Sequence, residues 1–325
     1  MTPLITLRSS LLHMPYGISR IRESGKLALR ALTHRRQTRT WLACLNSNPM
    51  FSELVASCPR LVHKIYRPYL SNTLNCQQRL DALMTHYGFI FKQGWGGIAA
   101  QAARAPVQLC CLSGKSGASY QIQLRGPDVL EREGELVLQL VSGQDLVYSV
   151  AFSFFQSKQR LALGIGCLQG PQGDDALGLI REATRELHGL RPKSLMVRLV
   201  RQLGHDAGCQ DLILVGNCNR AVRNASRKGK VYADYDALWQ EMGATPRADG
   251  DFRLACEDLP EPVMEDILSH KRSQARKRYQ LVASVLQAMQ ARLQTARSAV
   301  LAPTLPPMAP AFDFEVPPGM ELKAA

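Results

Sequence analysis

Residues 186–194, E-L-H-G-L-R-P-K-S, combine residue types that can bind an anion, at a point where one helical pattern ends and another begins. Gly189 tolerates the positive φ that ends a helix, and Pro192 suits the first turn of the next helix, where its missing N–H is no loss. The free N–H groups of that turn attract anions, and Arg191 and Lys193 oppose the helix dipole unless an anion is bound. We therefore predict a phosphate-binding site for a cofactor, formed by Gly189, Arg191, Lys193 and Ser194. The alternative is a solvated turn whose cations pair with acids elsewhere.

Two asparagines extend this candidate site. They follow the short apolar run D-L-I-L-V-G at 211–216, which is typical of a strand buried on both faces. Functional residues collect at the carboxyl ends of such strands, so Asn217 and Asn219 are predicted to contact the same cofactor. The alternative is ordinary turn chemistry, since asparagine stabilises turns.

A second cationic feature is the run K-R-S-Q-A-R-K-R at 271–278, with five cations in eight residues. On a helix these side chains point around most of the circumference, so they do not form one solvated stripe. The run is predicted to bind acidic lipid headgroups, nucleic-acid phosphates or acids of the protein's own core, and the alternative is a charged connector. The candidate residues for an anionic surface are Lys271, Arg272, Arg276, Lys277 and Arg278.

The charge of the whole chain also indicates an anionic partner. Its 325 residues include 40 Lys and Arg against 27 Asp and Glu, a formal net charge of +13. The first 75 residues contain 11 cations but only the acids Glu23 and Glu53. Such an excess favours an anionic small molecule, acidic lipid or nucleic acid as the partner.

Cysteine spacing and hydropathy indicate the compartment. Nine cysteines occur without a C-x-x-C pair, which favours a reducing environment and gives no reason to expect a metal site. No run of about 18 apolar residues predicts a membrane span, and the amino terminus lacks the pattern of a secretory signal. We expect a cytoplasmic protein, with peripheral attachment to the inner membrane as the alternative.

Periodicity predicts an α+β fold with an antiparallel meander, a helical amino-terminal segment and a long carboxyl-terminal helix. Period-two alternation and short turns indicate four successive strands, after which the period becomes helical. The predicted strands are 119–125, 135–141, 146–155 and 160–168, followed by helices 174–187 and 194–207, strand 211–216, helix 234–244, strand 250–254 and helix 265–300. The predicted domains are a basic, mostly helical segment 1–75, an α+β core 76–260, a long basic helix 261–300 and a proline-rich disordered tail 301–325.

This order of elements resembles the acyl-CoA N-acyltransferase fold. In that fold, antiparallel strands lead to a helix whose amino terminus holds the cofactor's pyrophosphate, and a parallel strand and another helix follow. The chain departs from the pattern because the helix 174–187 intervenes before the predicted anion site. The resemblance implies acyl-CoA or another phosphate-containing acyl donor as cofactor. It also implies Tyr235 as a candidate catalytic acid toward a leaving thiolate, although aromatic residues of short helices usually pack in the core.

Four separate segments follow one another along the chain: I-G-C-L-Q-G-P (165–171), T-R-E-L-H-G-L-R-P-K (184–193), Y-A-D-Y-D-A-L-W (232–239) and S-H-K-R-S-Q-A-R-K-R-Y (269–279). Together they resemble the bacterial VirK/YbjX family over roughly residues 50–295, with the basic residues before 50 and the proline-rich tail outside the shared region. That resemblance implies a role in virulence and in resistance to antimicrobial peptides, without an accepted activity or catalytic residues.

Three classes of function follow, and whether the protein is an enzyme stays open. The first is an acyltransferase-like enzyme of the bacterial envelope that uses a phosphate-containing acyl donor. The alternative is a non-enzymatic, peripheral inner-membrane factor that binds acidic lipids through the basic amino terminus and residues 271–278. Nucleic-acid binding ranks third, because the charge permits it but no recognised module is present.

Overall fold

The computed structural model describes residues 4–222 and 233–301, so nearly all of the predicted proline-rich tail lies outside the described residues. The chain begins with short helices, as predicted for the first 75 residues. Two are 3-10 helices, Leu7–Leu11 and Pro59–Tyr66. The α-helices before the sheet are α1 Ile18–Thr33, α2 Arg35–Leu45, α3 Met50–Ser57, α4 Cys76–Lys92 and α5 Gly96–Arg104.

One eight-stranded sheet forms the centre. Its strands are β1 Val107–Ser113, β2 Ser119–Arg125, β3 Leu136–Ser142, β4 Asp145–Ser157, β5 Arg160–Gln169, β6 Asp211–Leu214, β7 Thr245–Pro246 and β8 Phe252–Ala255. They lie in the order β1-β2-β3-β4-β5-β6-β8-β7. Neighbours from β1 to β5 pair antiparallel, which confirms the predicted meander. Strand β6 is parallel to β5 and antiparallel to β8, so it is a central strand as predicted.

Helices after the meander complete the α+β fold. They are α6 Ala176–Glu186 and α7 Pro192–Asp206 between β5 and β6, α8 Tyr235–Glu241 before β7, and α9 Ser269–Leu301 at the carboxyl end. The order of antiparallel strands, helix, parallel strand and helix is therefore the one predicted from the sequence. The predicted departure is also present, because two helices rather than one connect β5 to the parallel strand β6.

The main hydrophobic core lies between the sheet and the helices α5, α7 and α9. Leu138, Phe152 and Ile165 of the central strands belong to it, together with Leu199 of α7 and buried residues of α9. In α9 the buried residues run from Leu281 to Leu293. The first twelve residues of α9 contain no buried side chain, so the basic part of this helix extends beyond the core.

A second apolar cluster holds the amino-terminal helices together, and a buried polar network joins them to the sheet. The cluster includes Trp41 of α2 and Tyr87 of α4. In the network, Lys64 forms an ion pair with Glu135 at the start of β3, and both side chains are almost fully buried. The Tyr87 hydroxyl donates to the second oxygen of Glu135 at 2.5 Å. The Glu135 N–H donates to the Ser153 hydroxyl of β4 at 2.9 Å.

Candidate functional site

The predicted turn at 189–194 has the expected backbone, but its cations have a partner. Gly189 has φ +77°, which fits a glycine after a helix. Arg191 and Lys193, at the start of α7, both bind the carboxylate of Glu241 on α8, with 3.2 Å from the lysine. Gly189 is also approached by α9, whose Arg278 guanidinium donates to the His188 carbonyl at 3.2 Å. This is the paired arrangement named above as the alternative, and an anion would have to compete with Glu241 for the two cations.

The two predicted asparagines connect the end of β6 to neighbouring loops. The Asn217 side chain accepts from the Tyr235 N–H at 2.9 Å and donates to Asp234 at 2.7 Å. The Asn219 amide donates to the Asp251 carboxylate at 2.9 Å. The two side chains therefore hold α8 and β8 against the end of β6. These hydrogen bonds use the side-chain amide groups with which the asparagines were predicted to contact a cofactor.

Tyr235, the candidate acid, lies in the core. Its hydroxyl accepts from the Leu168 N–H at 2.7 Å and donates to the Leu168 carbonyl at 3.0 Å. Leu168 lies in β5, past the last residue of β5 that pairs with β6. Its side chain is 1% exposed, and the Arg220 guanidinium lies 3.9 Å from the ring centre. Burial raises the pKa of Tyr235 well above its ordinary value, so the phenol is protonated and serves here to tie α8 to β5.

The predicted basic run lies on the exposed start of α9. Four of its cations are exposed, whereas Arg278 is half-buried against the turn after α6. The cleft beside it, between α7 and the segment 257–262, has a volume of about 340 Å³. Three arginines and three acids line that cleft, and Arg201 pairs with Glu257 at 2.7 Å. Its charges are therefore balanced, which gives no preference for an anion.

Helix α1 has an apolar face that points away from the protein. At 100° per residue, Ile18, Ile21, Leu29 and Leu32 fall within a sector of about 80°. All four are exposed, from 65% for Leu32 to 86% for Ile18. We call these four residues the α1 stripe.

The surroundings of the α1 stripe are apolar and cationic. Leu4, Leu12 and Tyr16, which precede α1 in the chain, are also exposed, so seven of the eleven large, exposed apolar side chains among the described residues lie between 4 and 32. Arg22 and Lys26 follow one border of the stripe at helical spacing. A cluster of exposed apolar side chains bordered by cations marks a surface that contacts something else.

Beneath α1, on the opposite side from the stripe, lies a cleft of about 480 Å³, which we call the α1 cleft. Glu23, Leu27 and Arg30 of α1 form one wall. The 3-10 helix Leu7–Leu11 with the residues after it and the 3-10 helix Pro59–Tyr66 form the others. The polar lining residues are Ser10, His13, Glu23, Arg30, Arg60, His63, Tyr66, Arg67 and Arg132.

The α1 cleft carries an excess of positive charge. Four arginines line it, and Glu131 is shared by Arg60 at 3.3 Å and Arg67 at 2.9 Å. Burial, and then the charge of Arg67, lowers the pKa of His63 to about 4. His63 is therefore neutral at pH 7, with one ring nitrogen able to donate and the other to accept.

The sequence had indicated a basic amino-terminal segment but neither the stripe nor the cleft. A helical apolar period is visible at Ile18, Ile21 and Leu32 and could have been noticed. The helical period alone predicts that an apolar helix face is buried. In the structure Leu27, on the side of α1 opposite the stripe, is the buried residue, so the stripe faces solvent.

No helix within 4–222 and 233–301 has both the length and the apolarity to cross a bilayer. Comparison with known proteins finds relatives by sequence and a solved structure with partial similarity. YbjX of Escherichia coli, described as uncharacterised, is 28% identical over 265 residues, which cover 80% of each chain. Membrane protein LapB of Mannheimia haemolytica is 24% identical over 189 residues, covering 57% of this chain and 79% of LapB. A solved cAMP-binding acyltransferase from Mycobacterium smegmatis shares 12% identity at a TM-score of 0.29, covering 64% of this chain and 60% of its own, too low to support an argument.

A family profile described as "Protein of unknown function (DUF535)" matches residues 17–291. It includes all four segments that resembled the VirK/YbjX family, and this resemblance is confirmed. The match begins at residue 17, so the expectation that the residues before 50 lie outside the shared region is wrong for 17–49, which include α1. The chain belongs to the DUF535 family, the group that includes YbjX.

Proposed function

We propose that this protein binds peripherally to anionic membranes through its amino-terminal face. The observation that carries the proposal is the α1 stripe, an apolar helix face that is exposed to solvent and bordered by Arg22 and Lys26. A helix of this kind lies in the plane of the bilayer interface, with its apolar face in the acyl region and its cations among the headgroups. The neighbouring cations Arg35, Arg36 and Arg39 of α2 are exposed and add to the same attraction.

Two physical terms support the proposal. Removing an aliphatic side chain from water contributes about 1.5–3 kcal/mol when burial is complete, and the stripe contains four such side chains. Each cation near an anionic surface contributes about 1 kcal/mol at low salt. The name of the relative LapB, a membrane protein, is consistent with this function. The association with envelope resistance that the VirK/YbjX resemblance implies is consistent with it too.

Sedimentation with vesicles tests the proposal. We expect the full chain to pellet with vesicles containing phosphatidylglycerol and not with neutral phosphatidylcholine vesicles. The variant Ile21→Ser/Leu32→Ser should bind the anionic vesicles at least about a hundredfold more weakly, because two apolar side chains no longer enter the bilayer. Its matched control is Leu177→Ser/Leu268→Ser, which removes two exposed apolar side chains outside the amino-terminal face and should bind like the wild type.

Two results would contradict membrane binding. The first is equal pelleting with both kinds of vesicle. The second is a concentration-dependent dimer in light scattering that the Ile21→Ser/Leu32→Ser variant abolishes, without vesicle binding by the wild type. That second result would assign the stripe to self-association.

We also propose, as a second candidate, that the turn 189–194 binds the phosphates of an acyl donor such as acyl-CoA. The supporting observation is that Arg191 and Lys193 converge on one carboxylate at a helix start, a geometry that also suits a phosphate. Glu241→Gln removes the competing charge, so calorimetric titration should show tighter coenzyme A binding by this variant than by the wild type. Arg191→Glu/Lys193→Glu should abolish binding, and no heat from any of the three proteins at millimolar ligand would exclude the site.

A further inference from the structure

The α1 cleft has more cationic groups than its acids neutralise. Arg30, Arg60, Arg67 and Arg132 line it, and two of them share the single carboxylate of Glu131. Glu131 lies just outside the lining, and the acid among the lining residues is Glu23, which Lys26 binds at 2.6 Å. Arg132 also interacts electrostatically with Glu133 and Glu131, and Arg30 with Glu23. The four arginines still outnumber these three carboxylates, whereas three arginines and three acids line the cleft beside α7.

Two of these cations are held in place before any ligand arrives. The Arg132 guanidinium donates to the carbonyl groups of Pro68, at 3.3 Å, and Ala221. Arg67 is fixed by Glu131 at 2.9 Å. Because guanidinium groups bind phosphate oxygens through two parallel hydrogen bonds, arginines that are already positioned bind a phosphate at a lower entropic cost.

The position of the cleft indicates where the phosphate comes from. The residues Glu23, Leu27 and Arg30 line the cleft from one side of α1, and the α1 stripe lies on the other side of the same helix. A helix with its side chains is about 10–12 Å across. A stripe in the acyl region therefore places the cleft about one helix diameter farther from the bilayer centre, where headgroups project into water.

We infer that the α1 cleft binds a phosphate monoester on a projecting lipid headgroup. This inference rests on the proposed membrane binding and deepens it. The α1 stripe then supplies general attachment, and the cleft supplies selection among anionic lipids. Arg30 and Arg60 are the exposed members of the arginine set and reach the phosphate from opposite walls, whereas Arg67 and Arg132 form its fixed floor.

The test compares vesicles that carry phosphatidylinositol monophosphate with vesicles that carry phosphatidylserine, adjusted to equal surface charge. We expect the full chain to bind the first about tenfold more tightly, because the additional phosphate gains charge-assisted hydrogen bonds. The variant Arg30→Gln/Arg60→Gln should lose this preference while still binding both kinds of vesicle. The matched control Arg35→Gln/Arg36→Gln removes the same charge from exposed positions outside the cleft and should keep the preference.

The outcomes separate this inference from the proposed function. If both double variants weaken binding equally and neither changes lipid preference, the cleft is not a headgroup site, although membrane binding stands. If the wild type binds no anionic vesicle, the proposed function and this inference both fail. A titration with inorganic phosphate completes the test: binding that Arg30→Gln/Arg60→Gln abolishes, without any lipid preference by the wild type, would assign the cleft to free phosphate and overturn the lipid assignment.

Discussion

At the scale of single residues, burial decides which side chains carry charge. Burial raises the pKa of Glu133 to about 7, and nearby Arg132 offsets only part of this effect. Burial, followed by the charge of Lys64, lowers the pKa of His86 to about 3. The Nδ1 atom of His86 accepts the Phe154 N–H at 3.2 Å, which requires an unprotonated nitrogen. Both residues therefore prefer their neutral forms in the folded protein.

A residue-scale prediction concerns Glu133→Gln, which mimics the neutral carboxyl group. The folded pKa is raised from 4.5 to about 7, so the wild type loses stability as pH rises through this window, and the variant does not. The stability of the variant relative to the wild type should rise by up to about 3 kcal/mol between pH 4.5 and 8. Urea unfolding at several pH values measures this difference. The exposed control Glu182→Gln should show no such trend, and a pH-independent difference for Glu133→Gln would contradict the raised pKa.

At the scale of elements, one buried ion pair connects the helical amino-terminal layer to the sheet. Lys64 lies in the last turn of the 3-10 helix Pro59–Tyr66, Glu135 precedes β3, and Tyr87 of α4 completes the site. Burying two charged groups costs hydration free energy, which is offset only by the attraction between them. Removing one group therefore leaves an uncompensated buried charge. The pair therefore specifies how the two layers meet.

The element-scale prediction is a double-mutant cycle on this pair. Lys64→Met and Glu135→Leu should each lower the free energy of unfolding by about 3–5 kcal/mol, and the double variant should recover most of that loss. Chemical denaturation monitored by circular dichroism measures all four proteins. The exposed pair Lys26 and Glu23 is the control, and Lys26→Gln should leave the free energy of unfolding almost unchanged. Additive losses in the cycle would show that the buried pair does not act as a unit.

At the scale of the whole molecule, the net charge of +13 is unevenly distributed, and the amino-terminal excess coincides with the exposed apolar face. Electrostatic attraction to a membrane is screened by salt, whereas apolar insertion is not. The two terms of the proposed binding can therefore be separated in one experiment.

The whole-molecule prediction concerns salt. Raising NaCl from about 50 to about 500 mM should weaken binding of the wild type to phosphatidylglycerol vesicles by at least about tenfold, because the Debye length shortens from about 14 Å to about 4 Å and the attraction is screened. Ile21→Ser/Leu32→Ser should show the same salt dependence at a lower affinity throughout. Binding that does not respond to salt would show that the cations contribute nothing, and the electrostatic half of the proposal would be withdrawn.

The sequence by itself determined the α+β fold and most of its elements. Strand 119–125 was predicted with the bounds that the structure has, and the three strands that follow differ by one or two residues. Alternation fixed these strands because successive side chains of a strand point to opposite faces. Strand β1 was missed since a bulge between Gln108 and Cys110 breaks the period.

Only the tertiary structure decided what the charged and apolar groups contact. Glu241 lies 48 residues or more along the chain from the two cations that it binds, and no local pattern predicts such a pairing. Arg30 and Arg132 reach one cleft from distant segments for the same reason. The period of α1 shows that it has an apolar side, but which side faces water depends on what else the chain folds against it. Local patterns follow from backbone geometry, whereas a site follows from contacts between segments far apart in sequence.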